Sequence, residues 1–231
     1  LYNRTPERIG EIALRGEIEL EYEDGTSRLG RLAVVTSDIA EALAVADVIM
    51  VVLPASGHRG VARTCAPHLH DGQIVILNPG RTGGALEFRQ ILNRQGCTAD
   101  VVVAEAGTFM FASRSTGPAQ ARIFRRKNVV PLAALPAVNT GHVLETVCEA
   151  YPRFIPVPNV LHTSLDNMGA IFHPALTLLN AGWIERTKGD FQFYIDGVTR
   201  STAQVLEVLD RERVTIASAL GVRARSALRL S

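Results

Sequence analysis

Two kinds of hydrophobic pattern alternate along the first two thirds of the chain. Residues 47–53, 73–77 and 100–104 are short runs in which nearly every position is apolar (Val-Ile-Met-Val-Val-Leu in the first, Ile-Val-Ile-Leu in the second, Val-Val-Val-Ala in the third). Such runs have the character of strands buried on both faces of a parallel sheet. Between them the apolar positions recur at helical spacing. Helices are predicted from residue 54 to about 69 and from about 85 to 95, with another through 46 capped by Ser37 or Asp38. Strand, loop and helix repeated in this order predict an α/β, doubly wound sheet.

The remaining text fills in around that sheet. Residues 17–22 and 31–35 alternate about an Asp24-Gly25 turn and predict a hairpin. Residues 121–135 read as strand, basic turn (Arg125, Arg126, Lys127, Asn128) and strand, with the basic run as a solvated tip. A helix from Asn139-Thr140 to Ala150 and an extended segment over 154–161 follow. After His162-Thr163 the pattern is helical to the end, so the expected organisation is one domain over 1–162 and a second, all-α, over 163–231. In the second, one helix is expected from Ser164 to about Glu185, then a loop containing Phe191, Phe193 and Tyr194. A last helix is expected from about Ser201 to Leu220, stopped by Gly221. The charged run Asp210, Arg211, Glu212, Arg213 reads as its solvated face.

In a doubly wound sheet, ligands sit beyond the carboxyl ends of the strands. The loops beginning at Pro54, Asn78 and Glu105 are therefore expected to line one crevice. Gly80, Gly83 and Gly84 let backbone approach a ligand, or simply serve a tight loop. At the start, Leu1-Tyr2 reads as the end of a strand, and Thr5-Pro6 as a cap and first helical position. Asn3, Arg4 and Thr5 place an amide, a guanidinium and a hydroxyl, with no carboxylate, at a strand tip. In a dinucleotide-binding unit that tip meets the adenosine ribose, and this chemistry suits a 2′-phosphate. An ordinary surface loop can carry the same three residues.

The predicted helix after Ser164 is mostly apolar but bears Asp166, Ala170, His173, Thr177 and Asn180 at spacings that return to one face. His173 is either a satisfied core histidine or part of a site. Pro174 beside it lacks a donor and frees a carbonyl one turn back, which favours a site.

Composition narrows the partners. The net charge is +1 over 231 residues, and only Lys127 and Lys188 are lysines. Neither nucleic acid nor a membrane surface is expected as a partner. Cys65, Cys97 and Cys148 are odd in number and form no CxxC pair. That argues against structural zinc or a disulfide framework and suits a cytoplasmic protein. No metal site is expected, and no spanning helix or signal peptide is legible.

Three separated segments resemble the octopine/nopaline (opine) dehydrogenase family. They are Asn78-Pro-Gly-Arg-Thr-Gly-Gly-Ala-Leu-Glu-Phe88, Ala104-Glu-Ala-Gly-Thr-Phe-Met-Phe-Ala-Ser-Arg114, and Asn167 through His173-Pro174 to Glu185. The third continues through 189–197 and 209–221. The resemblance covers nearly all of the chain. It implies a Rossmann domain followed by a helical domain like that of 6-phosphogluconate dehydrogenase. The implied activity is NAD(P)H-dependent reductive condensation of an α-keto acid with an amino acid, or the reverse oxidation, with NADP favoured by Asn3, Arg4 and Thr5 and NAD also accommodated. Pro54, Asn78 and Gly80 join those three as implied cofactor contacts.

The resemblance also implies that His173 is the general acid/base, with Asn167, Glu105, Thr108 and Arg114 around the substrate. Each of the four has another reading: Asn167 as a helix cap, Glu105 and Thr108 as loop structure, Arg114 in a surface ion pair. The partners implied are small molecules and a second copy of the chain, in a homodimer. The family's glycine-rich loop and its downstream Arg/Asp segment are not in this sequence, and it is expected to be the middle of a longer protein. Two other readings stay open. One is a ketopantoate- or glycerol-phosphate-type reductase on the same fold, whose catalytic lysine neither Lys127 nor Lys188 supplies. The other is a remnant that serves as an interaction module.

Overall fold

The computed structural model describes residues 1–227. In chain order its elements are α1 (Gly10–Arg15), β1 (Glu17–Glu21), β2 (Ser27–Arg31), α2 (Ile39–Ala44), β3 (Val48–Val51), α3 (Ala55–Cys65), β4 (Ile74–Leu77), α4 (Gly84–Arg94) and β5 (Val102–Ala106). There follow β6 (Phe111–Gly117), β7 (Gln120–Arg126), β8 (Val130–Leu135), α5 (Thr140–Cys148), β9 (Phe154–Pro156), α6 (Val160–Leu165), α7 (Gly169–Leu179), α8 (Ala181–Thr187) and α9 (Arg200–Ala219). The contacts fall into two compact units, one over Leu1–Val160 and one from Leu161 onward.

In the first unit the main sheet has the order β3-β4-β5-β8-β9. The three apolar runs form its parallel part, with Val48 opposite Ile74 and Ile74 opposite Val102. Because side chains alternate across a strand, β4 feeds two cores. Val75 and Leu77 pack with Ala62, Phe88 and Leu92 of α3 and α4, while Ile74 and Ile76 pack with Val143 and Val147 of α5. All four β4 residues are buried, which is why the run carries no polar position. The sheet is mixed, because β8 runs antiparallel to β5. Ahead of it, Tyr2 bridges Thr36 in parallel, so the first residues do behave as a strand end.

A second sheet, β2-β1-β7-β6, packs over a small cluster of Ile9, Ile12 and Ala119. Here two expectations fail. Residues 125–128 are not a hairpin tip, since β7 pairs with β6 and β1 whereas β8 pairs with β5 and β9 in the other sheet. The true partner, β6, escaped notice because Ser113, Arg114, Ser115 and Thr116 give a solvated strand no apolar alternation. The hairpin after Asp24-Gly25 exists, but its return strand is Ser27–Arg31 rather than 31–35. Likewise the extended segment over 154–161 ends at Pro156, and Val160 already opens α6.

In the second unit the single helix expected over 164–185 is three helices. α6 stops at Leu165, and the chain turns through residues 166–168 before α7 begins. Asn180 leaves helical geometry (φ −110°, ψ 14°), and its Nδ2 donates to the carbonyls of Leu176 (2.9 Å) and Gly197 (3.1 Å). A side chain that pulls the loop at residue 197 onto the end of α7 breaks the helix there. Pro174 does not interrupt α7. The core of this unit joins Ile171, Ala175 and Leu176 of α7 to Leu206 of α9, with Phe172 and Phe193 alongside.

Candidate active site

The two units carry two groups of candidate residues. In the first unit they gather at the carboxyl ends of β4 and β5. Gly80 N–H donates to Ala106 O at 3.0 Å, tying the two loops together. Glu105, the penultimate residue of β5, is fully buried, and its Oε2 accepts from Ala85 N–H at 2.8 Å in the first turn of α4. A carboxylate at a helix amino terminus meets unsatisfied donors and the positive end of the dipole. Gly80 is there because nothing larger fits. A Cβ at that position would lie 2.5 Å from Glu105 Oε2 and 2.7 Å from its Cδ. Glu105 thus faces inward and shapes the loop over residues 78–84. Thr108 is half-buried in the loop after β5.

Asn78 closes β4 and is 2% exposed. Its Nδ2 lies 3.4 Å from Met50 Sδ, and its Oδ1 is buried with no hydrogen-bond partner. Pro54 is exposed at the amino end of α3. Two residues that sequence reasoning did not single out stand with them. Arg81 is a non-glycine residue at φ +62°, an uncommon left-handed conformation. Its guanidinium lies over the Phe109 ring, 5.3 Å from the centroid, and no carboxylate pairs with it among the described residues. The signal was an arginine inside a glycine-rich loop after a buried strand. His58, in α3, is 1% exposed, and its Nε2 has no partner. Burial pushes its pKa below the usual histidine value, against the opposing pull of the Leu53 carbonyl and Glu87, and the Arg81 charge adds to the lowering.

Asn3, Arg4 and Thr5 follow the strand end as expected. Asn3 Oδ1 accepts from Thr5 N–H at 3.0 Å, and Arg4 is exposed. Thr5 precedes a single 3-10 turn over Pro6–Arg8 and makes no side-chain cap. Arg114 stands apart from the crevice. It is exposed on β6 of the second sheet, in register with Arg122.

In the second unit the site is built on the start of α7. Ile171, Ala175 and Leu176 take the buried face, which leaves His173 exposed, so it is not a core histidine. Asn167, 9% exposed, lies in the turn before α7. Both border Gly169: a Cβ there would lie 3.3 Å from Asn167 Oδ1, 3.4 Å from His173 Cε1 and 3.5 Å from His173 Nδ1. The amide oxygen and the imidazole edge therefore share the space that a side chain would occupy. Tyr194 borders the same imidazole, with ring centroids 6.1 Å apart. Asp166 does not continue a helical stripe with His173, because α7 begins only at Gly169. An exposed imidazole beside a fixed amide can donate and accept protons at a bound substrate.

Comparison with known proteins bears on both units. Residues 156–231 match the model of the NAD/NADP octopine/nopaline dehydrogenase α-helical domain. An opine dehydrogenase from Arthrobacter sp. (strain 1C) is 41% identical over 220 residues, 95% of this chain and 60% of that protein. The octopine dehydrogenase of Pecten maximus is 22% identical over 86% of this chain and 51% of its own length. The chain thus spans little more than half of the curated relatives it matches. Among solved structures, octopine dehydrogenase with NADH and L-arginine aligns at TM-score 0.75 and 22% identity, over 94% of this chain and 55% of that one. Yersinopine dehydrogenase with NADP+ aligns at 0.77 and 18%, over 97% and 59%. A ketopantoate reductase from Ralstonia eutropha JMP134 shares the fold at 0.67 and 16%, over 98% and 68%. The helical-domain match and the 41% identity make the chain similar to the opine dehydrogenases.

Proposed function

We propose that the protein is an NAD(P)H-dependent oxidoreductase acting on CH–NH bonds. It condenses an α-keto acid with the amine of an amino acid and reduces the product, or runs the reverse oxidation. The observation that carries this reading is the exposed His173, which borders Gly169 together with Asn167, inside the segment that matches the helical domain. The amine adds to the keto carbon, the resulting carbinolamine loses water, and the imine gains two hydrogens. His173 protonates the departing hydroxyl in the forward direction and takes a proton in the reverse. Asn167 orients the substrate's amine or carbonyl through its amide.

The first unit fits a ligand bearing both hydroxyl and anionic groups. Asn78 Oδ1 is a buried acceptor without a partner, and Arg81 is a cation without one among the described residues. Asn78, Gly80 and Pro54 would border a nicotinamide cofactor, with Asn3, Arg4 and Thr5 toward its ribose phosphate, which favours NADP while leaving NAD admissible. When bound, that cofactor supplies the hydride. Arg81 takes the carboxylate role that the sequence offered to Arg114, since a guanidinium fork suits it. Thr108 borders the same crevice, and Glu105 acts by holding the loop. The partners are a small keto acid and an amino acid, together with a second copy of the chain. The three free cysteines suit a cytoplasmic setting, and no described helix is long and apolar enough to cross a membrane.

The test is to incubate the purified protein with NADPH or NADH and a panel of keto acids and amino acids. Oxidation of the cofactor should require both organic substrates and yield a secondary amine. Oxidation with keto acid alone, giving a hydroxy acid, would contradict the proposal and favour the reductase reading.

A further inference from the structure

Of the charged run near the middle of α9, Arg211 and Glu212 are exposed, but Asp210 and Arg213 are not. Asp210 is 5% and Arg213 8% exposed, and they belong to a buried stripe with Thr202, Leu206 and Ala217. One guanidinium makes four connections. Its Nε and Nη2 donate to Asp210 Oδ1 at 3.1 and 2.7 Å, its Nη2 also donates to the Arg225 carbonyl, and its Nη1 donates to the carbonyl of Leu165, the last residue of α6. Nη1 further lies 3.8 Å from Asp166 Oδ1, a buried atom with no hydrogen-bond partner of its own. Asp210 is in turn held by Ser226 Oγ at 2.9 Å and Ala227 N–H at 2.8 Å.

The two groups gripped by Nη1 immediately precede Asn167. Within the turn, Asp166 N–H donates to His162 O at 3.1 Å and Met168 N–H to Asp166 O at 2.9 Å. Asn167 N–H donates to Ser164 O at 3.4 Å, and Met168, just before α7, makes no side-chain cap. This turn carries Asn167, whose Oδ1 borders the same space over Gly169 as the His173 ring. We propose that Arg213 is a positioning residue. From α9 it clamps the α6–α7 turn through Leu165 and Asp166, and so fixes the Asn167–His173 pair. Lysine cannot replace it, because the clamp needs a planar fork with separate donors for Asp210 and Leu165. The functional meaning of the clamp rests on the proton-transfer role given to His173. The clamp itself does not.

The test uses the 231-residue protein and needs no turnover. Histidine ring resonances are recorded by ¹H–¹³C NMR, His173 being assigned by its loss in His173→Gln, and amide exchange is followed across residues 166–170. In Arg213→Gln the turn amides should exchange at least about tenfold faster and the His173 resonance should move, while those of His68 and His142 stay in place. Arg213→Lys should restore the turn only in part. A role confined to stability would lower the unfolding temperature and leave the His173 resonance of the folded protein unchanged. A folded Arg213→Gln protein with wild-type His173 signals and turn exchange would overturn the proposal. Should that variant fail to fold, Arg213→Lys and Asp166→Asn carry the same readout, and unchanged signals in both overturn it. Full turnover in His173→Gln would remove the proton-transfer role, and the NMR result would still decide the clamp.

Discussion

Gly80→Ala tests whether the crevice of the first unit is shaped by a buried carboxylate. The new Cβ would lie 2.5 Å from Glu105 Oε2 and 2.7 Å from Cδ, well inside contact distance. Glu105 is fully buried and tied to the first turn of α4 by the 2.8 Å bond from Ala85 N–H, so it cannot swing to solvent. Overpacking of this kind costs about 1–3 kcal/mol. Displacing the carboxylate from its backbone donor costs about 1.5–3 kcal/mol more. Together they approach half the net stability of an ordinary domain, about 5–15 kcal/mol. With a urea slope of about 2 kcal/mol per molar, the midpoint should fall by about 1–3 M. The assay is urea denaturation followed by circular dichroism, with amide exchange in β4 and β5 as the local report. A midpoint equal to wild type, with β4 and β5 equally protected, would refute the role given to Glu105.

Two further outcomes follow from the same geometry. Gly169→Ala should leave stability within about 1 kcal/mol, since the helix start gains propensity while the Cβ presses on Asn167 and His173. Turnover should nonetheless fall, by up to about 100-fold for a displacement approaching 1 Å, and unchanged kinetics would show that the shared space does not matter. His58→Leu should change the acid limb of stability. Its folded pKa is lowered, chiefly by burial, so the unfolded chain binds the proton first and stability declines as pH falls below about 6.5. Urea midpoints measured from pH 7.5 to 5 should fall less steeply in the variant, and an identical slope would mean that His58 is not buried neutral.

How much of this was legible depended on whether burial coincided with hydrophobicity. β3, β4 and β5 could be read because strands covered on both faces leave no position for a polar side chain. The Asn78 and Glu105 loops were found because they follow those strands. β6 could not be read the same way, being a largely exposed strand of Ser, Arg and Thr whose only signature is its partner. Arg213 was misread for a related reason. Asp210 and Arg213 are polar, so they look like a helix surface, although their places four and seven residues after Leu206 put them on its buried face. The break at Asn180 depends on a side-chain bond to Gly197, seventeen residues away, which no local pattern carries. Arg81 was hidden by the glycines around it, because its meaning lies in its left-handed backbone and the Phe109 ring beneath it.

The central claim is that His173 moves the proton in a nicotinamide-dependent condensation. The most direct measurement compares His173→Gln with wild type, taking kcat/KM for the condensation beside the Kd for NADPH. The account predicts that kcat/KM falls by about 10²–10⁴, the usual contribution of a positioned acid/base, while the Kd stays within error. Wild-type kcat/KM in the variant would contradict it.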